Sequence, residues 1–503
     1  MKVLLLHPNH DFDLAERLPW YLSDLVHNDL ELPRLYAAMA ADDAFMLETV
    51  RRVVPAPLVE AEPILYRQRI LADTLANRVV VRQLYDTATD AAEVHRKVFL
   101  GGLLSRDPEA RLRRSVRILE HLSTNIKQLR NLADLHATKF TSAGFQRFWS
   151  MIAEQLSDSY LDELDDQLAE LRLPRGVLLS AQLALGNKGT DHLLHQAPRR
   201  GWWAKFTGGG QHGYGFAVDE RDETGAQALS ELAGRAINDI SNVVTQSSDH
   251  VQGFFSRLRT EVSFYLGCAN LHDRLAAAAV PSCYPLPGPL GSAQLDCGGL
   301  RDVGLLLSTE KPLTGNDIAA SGKNLLVITG ANEGGKSTFL RGLGVAQVMM
   351  QAGMFVAAQS FHADIRNGVF THFKREEDST MTHGKLDEEL ARMSKIADFI
   401  GPGSLLLCNE SFASTNEREG SEISRGVIGA MLQAGVKVVF VTHLYDLAHS
   451  LYSRHDEHYL FLRAERRSDG SRTFRLLPGE PKPTSHGGDS FRRIFGAGTT
   501  KPG

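Results

Sequence analysis

A glycine-rich loop between an apolar run and a helical pattern is the feature that most restricts how this chain can fold. The run at 325–329 is followed by TGANEGGKST, which fits G-x-x-x-x-G-K-[ST] from Gly330 to Ser337. Glycines let such a backbone curl until its N–H groups point at phosphate oxygens, and the following helix adds the positive end of its dipole. The pattern predicts an α/β nucleotide-binding domain in which Lys336 reaches the β- and γ-phosphates and Ser337 binds Mg²⁺.

A second apolar run, SLLLCNES at 404–411, predicts the strand that supplies acidic residues to such a site. An aspartate at its end usually holds Mg²⁺ through the water shell, and the next carboxylate orients or deprotonates the attacking water. Here the pair is Asn409 and Glu410. We expect Glu410 to keep the second role, while the Asn409 carbonyl oxygen accepts a hydrogen bond from Mg²⁺-bound water without adding charge. The alternative is that Asn409 is a substitution in a site that no longer hydrolyses nucleotide.

A third apolar run, KVVFVTH at 437–443, predicts a strand that ends at His443. A lone histidine is more often an ordinary surface or core residue. At the end of a strand in a sheet of this kind, we expect it to sense the γ-phosphate. All three runs are flanked by turn signals, which is typical of interior strands of a mainly parallel sheet.

The chain upstream of these strands is mostly helical in pattern. An apolar stripe at 145–171, stopped by Pro174, predicts one long helix, and a second stripe predicts another from about 226 to 279. Between them, GVLLSAQLALG and GYGFAVDE predict strands. The opening MKVLLLHPNHDF has too short an apolar run for a signal peptide and predicts a first strand.

Composition sets few limits on function. No apolar run reaches the roughly 20 residues that span a bilayer. The four cysteines form no CxxC pair and no zinc spacing, which favours a reducing cytoplasm. A formal charge of −5 does not indicate a nucleic-acid binder, although a local basic face is sufficient for one.

The segment PRRGWWAKFTGGG at 198–210 is the strongest candidate for such a face. Its basic and aromatic side chains suit DNA by charge and stacking; the predicted contacts are Arg199, Arg200, Trp202, Trp203 and Lys205. The same composition suits a protein interface, and the tryptophans could instead be buried in the core. The arginines at 106–117 are either phosphate contacts or a solvated helix face.

The segment LTGNDIAASGKNLLVITGANEGGKSTFLRGLGVAQVMMQAGMFVAA resembles the ATPase domain of the MutS mismatch-repair family. The family's loop has the form G-x-N-x-G-G-K-S-T, matched by Gly330, Asn332, Gly334, Gly335, Lys336, Ser337 and Thr338. His443 falls on the family's A-T-H, and LLPGEPKPTSHG is similar to the family's closing motif. The resemblance is dense from about 297 to 495 and adds Asn332 and Thr338 to the nucleotide-binding set.

The resemblance implies a P-loop ABC-type ATPase domain of α/β class, preceded by a mainly helical region. Together with the pattern along the chain, it predicts a lead-in strand at 1–30, a helical core and lever at 31–280 with a β-rich insertion at about 175–222, the ATPase domain at 281–495, and a disordered tail at 496–503. It also implies ATP with Mg²⁺, composite sites in a cytoplasmic homodimer, duplex or branched DNA as ligand, and repair or recombination proteins as partners.

Several departures from the family pattern bear on the expected activity. We expect no mismatch-reading N-terminal domain, because the match begins at the core region and no Phe-x-Glu wedge occurs. Asn409 replaces the family's aspartate, and Leu386 replaces the signature-loop serine that reaches the partner's γ-phosphate. Lys385 or Thr382 could substitute for that serine. We therefore expect slow hydrolysis.

Three alternatives stay open from the sequence. The first is a nucleotide-switched binding protein with negligible hydrolysis, which Asn409 and Leu386 favour. The second is another ABC-type ATPase, which the lack of an L-S-G-G signature disfavours. The third is an interaction protein that makes no contact with DNA.

Overall fold

The computed structural model describes residues 1–94, 108–173, 178–183, 189–195, 223–309, 311–375, 384–467 and 471–483. The chain divides into two units. A helical unit comprises Met1–Val3, Val79–Thr141 and Phe145–Val262, and a sheet-bearing unit comprises Leu4–Arg78, Ser142–Gly144 and Ser263–Gly503.

Helices and strands follow one another in the order that the sequence predicts, helical first and mixed later. A π-helix (Tyr21–Val26) precedes α1 (His27–Asp29), α2 (Leu32–Ala40), α3 (Ala44–Val53), α4 (Ala61–Ala76), α5 (Arg78–Ala92), α6 (Pro108–His136), α7 (Ala143–Gln155), α8 (Asp158–Leu171), α9 (Glu223–Ala277), α10 (Val303–Leu306), α11 (Lys336–Gln351), α12 (Lys385–Ala397), α13 (Glu417–Gln433) and α14 (Tyr445–Tyr452). The strands are β1 (Leu178–Leu183), β2 (Gly189–His195), β3 (Leu286–Gly288), β4 (Leu295–Leu300), β5 (Asn316–Ala319), β6 (Leu325–Thr329), β7 (Ser360–Asp364), β8 (Val369–Phe373), β9 (Leu405–Asn409), β10 (Lys437–Val441), β11 (Tyr459–Arg466) and β12 (Arg472–Pro478).

The helical unit is organised around α6, whose apolar residues recur every three to four positions and are buried. The Arg111 guanidinium of α6 donates to the Asn242 side chain of α9 over 3.2 Å. Lys127 forms an ion pair with Asp165 of α8. These two polar contacts join α6 to α9 and to α8.

The single long helix predicted at 145–171 is wrong, because the structure breaks it into α7 and α8. The Ser157 hydroxyl accepts a hydrogen bond from the Tyr160 backbone N–H and caps α8, which restarts the helix in a new phase. Tyr160, placed on the predicted stripe, is therefore 45% exposed. The second predicted helix is confirmed as α9, and Ile237 and Phe254 of its stripe are buried.

The strand predicted at the start of the chain is also wrong. Residues 1–19 contain neither helix nor strand, and Leu4 has a left-handed φ of 54°, which interrupts an extended backbone. Side chains, rather than a neighbouring strand, form hydrogen bonds to the backbone carbonyls of this segment. The Leu5 carbonyl accepts from the Tyr265 hydroxyl over 2.5 Å, and the Leu6 carbonyl accepts from Arg67 Nε over 2.7 Å.

The insertion contains an antiparallel pair, β1 and β2. Strand β1 lies within the predicted GVLLSAQLALG strand, whereas the predicted GYGFAVDE strand lies outside the described residues.

A six-stranded sheet, in the order β12-β11-β6-β10-β9-β8, forms the centre of the sheet-bearing unit. All neighbours are parallel except β11 and β12, which are antiparallel. The three strands predicted from apolar runs are confirmed as β6, β9 and β10, and they are adjacent. Because parallel strands end at the same edge, Thr329, Asn409 and Val441 come together there.

Helices cover both faces of this sheet, as a buried parallel sheet requires. Leu406 and Phe440 belong to a core cluster with residues of α12, α13 and α14. Leu407, next along β9, points to the opposite face, where α11 approaches so closely that a Cβ on Gly344 would lie 2.6 Å from it. A separate four-stranded sheet has the order β3-β7-β4-β5. None of the helices in the described residues combines the length and the apolar composition of a membrane span.

Lys437 at the start of β10 is a buried lysine with a pH-dependent effect on stability. Its ammonium donates to the Ala293 carbonyl over 3.2 Å, and burial, with the nearby Arg366 charge, lowers its pKa to about 7. Between pH 7 and the ordinary lysine pKa of about 10.4, the unfolded chain binds a proton that the folded chain does not. The free energy of unfolding should therefore rise by up to roughly 1.4 kcal/mol per pH unit in that window.

We expect Lys437→Met to remove this contribution. Urea unfolding at pH 7 and pH 9 should show a smaller stability gain on raising the pH in Lys437→Met than in the unmodified protein. Lys395→Met, at an exposed position of α12, is the matched control. An unchanged pH dependence in Lys437→Met would contradict the assignment.

Candidate functional site

The loop at 330–335 joins β6 to α11 and needs its glycines because it packs against β11. A Cβ on Gly330, whose φ is 117°, would lie 2.9 Å from the Ala464 backbone nitrogen. A Cβ on Gly334 would lie 2.8 Å from both the Ala331 carbonyl oxygen and the Ala464 side chain. Gly335 begins α11 with a left-handed φ of 89°. The loop therefore curls tightly at the start of a helix, the backbone arrangement that phosphate-binding loops use.

Lys336 is folded into this curl. Its side chain is buried, at 4% exposure, and the ammonium donates to the carbonyl oxygens of Gly330 and Ala331 over 2.8 and 3.0 Å. Burial lowers the pKa of Lys336, the Glu410 carboxylate opposes this effect, and the Arg472 charge adds to it. The ammonium thus lies inside the loop and in the electrostatic field of groups from other strands.

Ser337 and Asn409 are brought together from positions 72 residues apart. The Ser337 hydroxyl donates to the Asn409 side-chain oxygen over 2.8 Å, which links the first turn of α11 to the end of β9. The Ser337 hydroxyl oxygen and the Asn409 side-chain oxygen are hard ligands of the type that Mg²⁺ takes. Neither oxygen carries a charge, so the donor set is weaker than one with an aspartate.

Glu410 and His443 follow adjacent strands and face each other. The Glu410 Oε2 to His443 Nδ1 distance is 3.8 Å, which is longer than a hydrogen bond. His443 lowers the pKa of the Glu410 carboxyl against the opposing effect of partial burial, and Lys336 and Lys374 lower it further. The carboxylate is therefore ionised at neutral pH, as a group that accepts a proton from water must be.

A cavity of about 360 Å³ opens beside the loop. The predicted residue Thr338 lines it, while Asn332 is exposed at the loop's tip. Phe474 of β12 also lines it, with a left-handed φ of 60° and 49% exposure. A partly exposed aromatic ring beside a phosphate-type loop suits stacking on a planar base.

Arg472, Phe474 and Glu333 were missed by reasoning from the sequence. Glu333 occupies a position that the family pattern leaves open, and the strand RTFRLLP has no motif that predicts contact with the loop. The Asn316 side chain holds that strand in place: its amide donates to the Phe474 carbonyl over 3.2 Å, and its oxygen accepts from the Leu476 N–H over 2.8 Å.

Leu386 packs against the core cluster of the sheet-bearing unit rather than lying fully in solvent. Burial of apolar surface against the cluster therefore explains a leucine at this position. A serine would be partly buried there without the stabilisation that a buried apolar side chain gives. Gly384 and Lys385, at the start of α12, are exposed. Thr382 lies outside the described residues.

The predicted DNA contacts at 199–205 lie outside the described residues, as does Arg106 of the second basic stretch. Within that stretch, Arg111 contacts Asn242 and Arg113 forms an ion pair with Glu109. The exposed Arg113–Glu109 pair favours the interpretation of this stretch as a solvated helix face.

Comparison with known proteins matches two stretches of the chain. Residues 59–278 match the MutS2 N-terminal domain and residues 326–487 match MutS domain V. The chain is 32% identical over 143 residues to "MutS protein homolog 4" of Homo sapiens, covering 28% of the chain and 15% of that relative. It is 30% identical over 207 residues to "Endonuclease MutS2" of Thermus thermophilus, covering 38% of the chain and 28% of that relative.

A third relative is "DNA mismatch repair protein MutS" of Chloroflexus aurantiacus, 26% identical over 224 residues, which is 44% of the chain and 23% of that relative. The aligned part of the chain thus spans between 15% and 28% of the length of these three curated relatives.

Proposed function

The chain belongs to the MutS family, and from that premise we propose that it is a dimeric, ATP-binding, slow ATPase that couples nucleotide binding and hydrolysis to the clamping of DNA. The observation that carries the proposal is the meeting of Lys336, the Ser337–Asn409 pair and Glu410 at one edge of the parallel sheet. The domain that bears them is, in this proposal, a P-loop ABC-type ATPase domain. The domain boundaries and the cytoplasmic location given above remain predictions.

Each residue has a proposed part in binding. The N–H groups of the loop and the Lys336 ammonium bind the phosphates of ATP; the loop residues are Gly330, Asn332, Gly334, Gly335, Lys336, Ser337 and Thr338. The oxygens of Ser337 and Asn409 would hold Mg²⁺, which when bound neutralises phosphate charge. Phe474 would stack on the base in the adjacent cavity.

Glu410 and His443 have the proposed catalytic parts. The ionised Glu410 carboxylate orients water and accepts its proton, and His443 senses the γ-phosphate. Because Asn409 lacks the charge that an aspartate would supply, we expect weak metal binding and slow turnover. The contact of the neutral Asn409 oxygen with Ser337 supports the weak metal binding. The lowered pKa of Glu410 supports its part as an ionised carboxylate.

Asn409→Asp should raise Mg²⁺-dependent ATP turnover by about tenfold, because one added negative charge next to the metal strengthens its binding. The substitution preserves size and keeps the acceptor for the Ser337 hydroxyl. Phosphate release should be measured across a Mg²⁺ titration, with the largest gain at low Mg²⁺. Asn242→Asp, which likewise keeps its acceptor role toward Arg111, is the charge-matched control. Turnover that is unchanged or lower at every Mg²⁺ concentration would contradict this part of the proposal.

DNA clamping is tested by gel-shift titrations of homoduplex, mismatched and branched DNA, with and without ATP. We expect salt-dependent binding that ATP alters, as phosphate contacts by basic side chains require. Paired substitution of Arg199 and Arg200 should weaken binding to all of these substrates, because phosphate contacts carry no sequence information. Absence of binding to all three DNA types would overturn the DNA part of the proposal.

A second candidate is a nucleotide-switched binding protein in which ATP occupancy, rather than hydrolysis, is the signal. The partial burial of Leu386 against the core cluster favours it, because the residue at the family's trans-contact position contacts its own subunit. Tight ATP binding with no measurable phosphate release would support this candidate over the slow ATPase.

A further inference from the structure

Glu333 places a carboxylate in the glycine loop itself. It lies between Asn332 and Gly334, in a left-handed backbone conformation with φ 56°. Its side chain is 58% exposed and lines the cavity beside the loop together with Thr338. A negative charge here is unexpected in a loop whose proposed ligand is a polyanion, because like charges repel.

Arg472 forms an ion pair with this carboxylate. It opens β12, and its side chain is only 16% exposed. The strand is held beside the loop by the Asn316 hydrogen bonds to Phe474 and Leu476. A Cβ on Gly335 would lie 3.4 Å from the Phe474 backbone, so strand and loop are in close contact. Arg472 is therefore kept next to the loop by backbone geometry as well as by Glu333.

Two cations, Lys336 and Arg472, and two carboxylates, Glu333 and Glu410, thus act around the loop. Burial lowers the pKa of the Lys336 ammonium, and the Arg472 charge adds to this effect. A polyphosphate bound at the loop would lie in the field of both cations and would be repelled by Glu333. Arg472, with a planar set of donors, is chemically suited to exchange a carboxylate partner for a phosphate one.

We propose that Glu333 is an internal competitor of nucleotide phosphates for Arg472, so that Glu333 lowers and Arg472 raises the affinity of the loop for nucleoside polyphosphates. This inference rests on the proposed function, since it concerns the same loop. Under this proposal, Glu333 and Arg472 determine the affinity of the loop for nucleotides. They also determine how strongly the loop distinguishes ATP, ADP and AMP by their number of phosphates. The competing explanation is a purely structural ion pair that ties β12 to the loop.

The test is a titration of fluorescently labelled ATP, ADP and AMP into the full chain and into Glu333→Gln, Arg472→Gln and the double variant. Glu333→Gln should bind ATP about five- to tenfold more tightly, corresponding to about 1 kcal/mol, with a smaller gain for ADP and none for AMP. Arg472→Gln should bind ATP about tenfold more weakly. The gain from Glu333→Gln should shrink in the Arg472→Gln background, because the two side chains act on each other.

Glu457→Gln is the matched control, since it makes the same charge change at a side chain that is 88% exposed. A structural tie would make both single variants bind ATP more weakly and melt at lower temperature, and that result would overturn the inference. ATP binding by the unmodified protein with no gain in Glu333→Gln would overturn this inference alone. If neither the unmodified protein nor Glu333→Gln binds any nucleotide, the proposed function fails together with it. Binding by Glu333→Gln but not by the unmodified protein would support the inference.

Discussion

Lys336→Met is expected to weaken ATP binding at least about a hundredfold, equivalent to roughly 2.7 kcal/mol. The substitution keeps most of the aliphatic stem but removes the ammonium that the Gly330 and Ala331 carbonyls hold inside the loop. That ammonium is buried, so its contact with a phosphate is little screened by solvent. A charge-assisted contact in such surroundings is among the strongest single interactions that a loop of this size can make.

The loss should appear in two measurements, a titration with labelled ATP and the nucleotide-dependent rise of the melting temperature. The melting temperature without nucleotide should change little, because relief of the cost of burying the ammonium offsets two lost hydrogen bonds. Lys395→Met, an exposed lysine of α12, should bind ATP normally. Affinity within about threefold of the unmodified protein in Lys336→Met would rule out the loop as the phosphate site.

Glu410→Gln is expected to lower ATP turnover about a hundred- to ten-thousandfold while leaving ATP affinity equal or slightly higher. Glutamine keeps the shape of the side chain but cannot accept a proton from water, and that step is worth this factor in enzymes that use a general base. Affinity should not fall, because the change removes a negative charge near the phosphates. His443 lowers the pKa of Glu410, so the acid-side loss of turnover should come below the ordinary glutamate pKa of about 4.5.

Glu422→Gln, an exposed position of α13, is the control for loss of a carboxylate in the same unit. Single-turnover phosphate release and equilibrium ATP binding should both be measured, because together they separate chemistry from affinity. Equal turnover in Glu410→Gln and the unmodified protein would exclude Glu410 as the base. An unmodified protein that binds ATP tightly without turnover would instead favour the nucleotide-switched alternative.

The sequence pattern predicted the structure correctly where residues close together in the chain determine it. The strands β6, β9 and β10 each show a run of apolar residues because they are buried on both faces, and the loop shows its glycines because the backbone must curl. The acidic end of β9 could be paired with the loop in advance, since parallel strands end at one edge of a sheet.

The sequence pattern gave wrong predictions at two places, one because of a local hydrogen bond and one because of distant contacts. The stripe at 145–171 continues through Ser157, yet the serine side chain caps a new helix, and a hydroxyl that bonds to the backbone outweighs continued apolar periodicity. At the start of the chain, apolar residues typical of a strand are held by distant side chains, of Tyr265 for example, which no local pattern could indicate.

The sequence by itself determined the class of the sheet-bearing unit, the loop that curls at the start of α11, and the carboxylate and histidine that follow β9 and β10. These follow from residue type and spacing along a short stretch of chain. Only the tertiary structure decided that Arg472 pairs with Glu333, that Phe474 lines the cavity, and that Leu386 packs against the core cluster. The reason is that β12 reaches the loop through strand pairing and the Asn316 hydrogen bonds, and contacts between residues more than a hundred positions apart leave no periodic trace in the sequence.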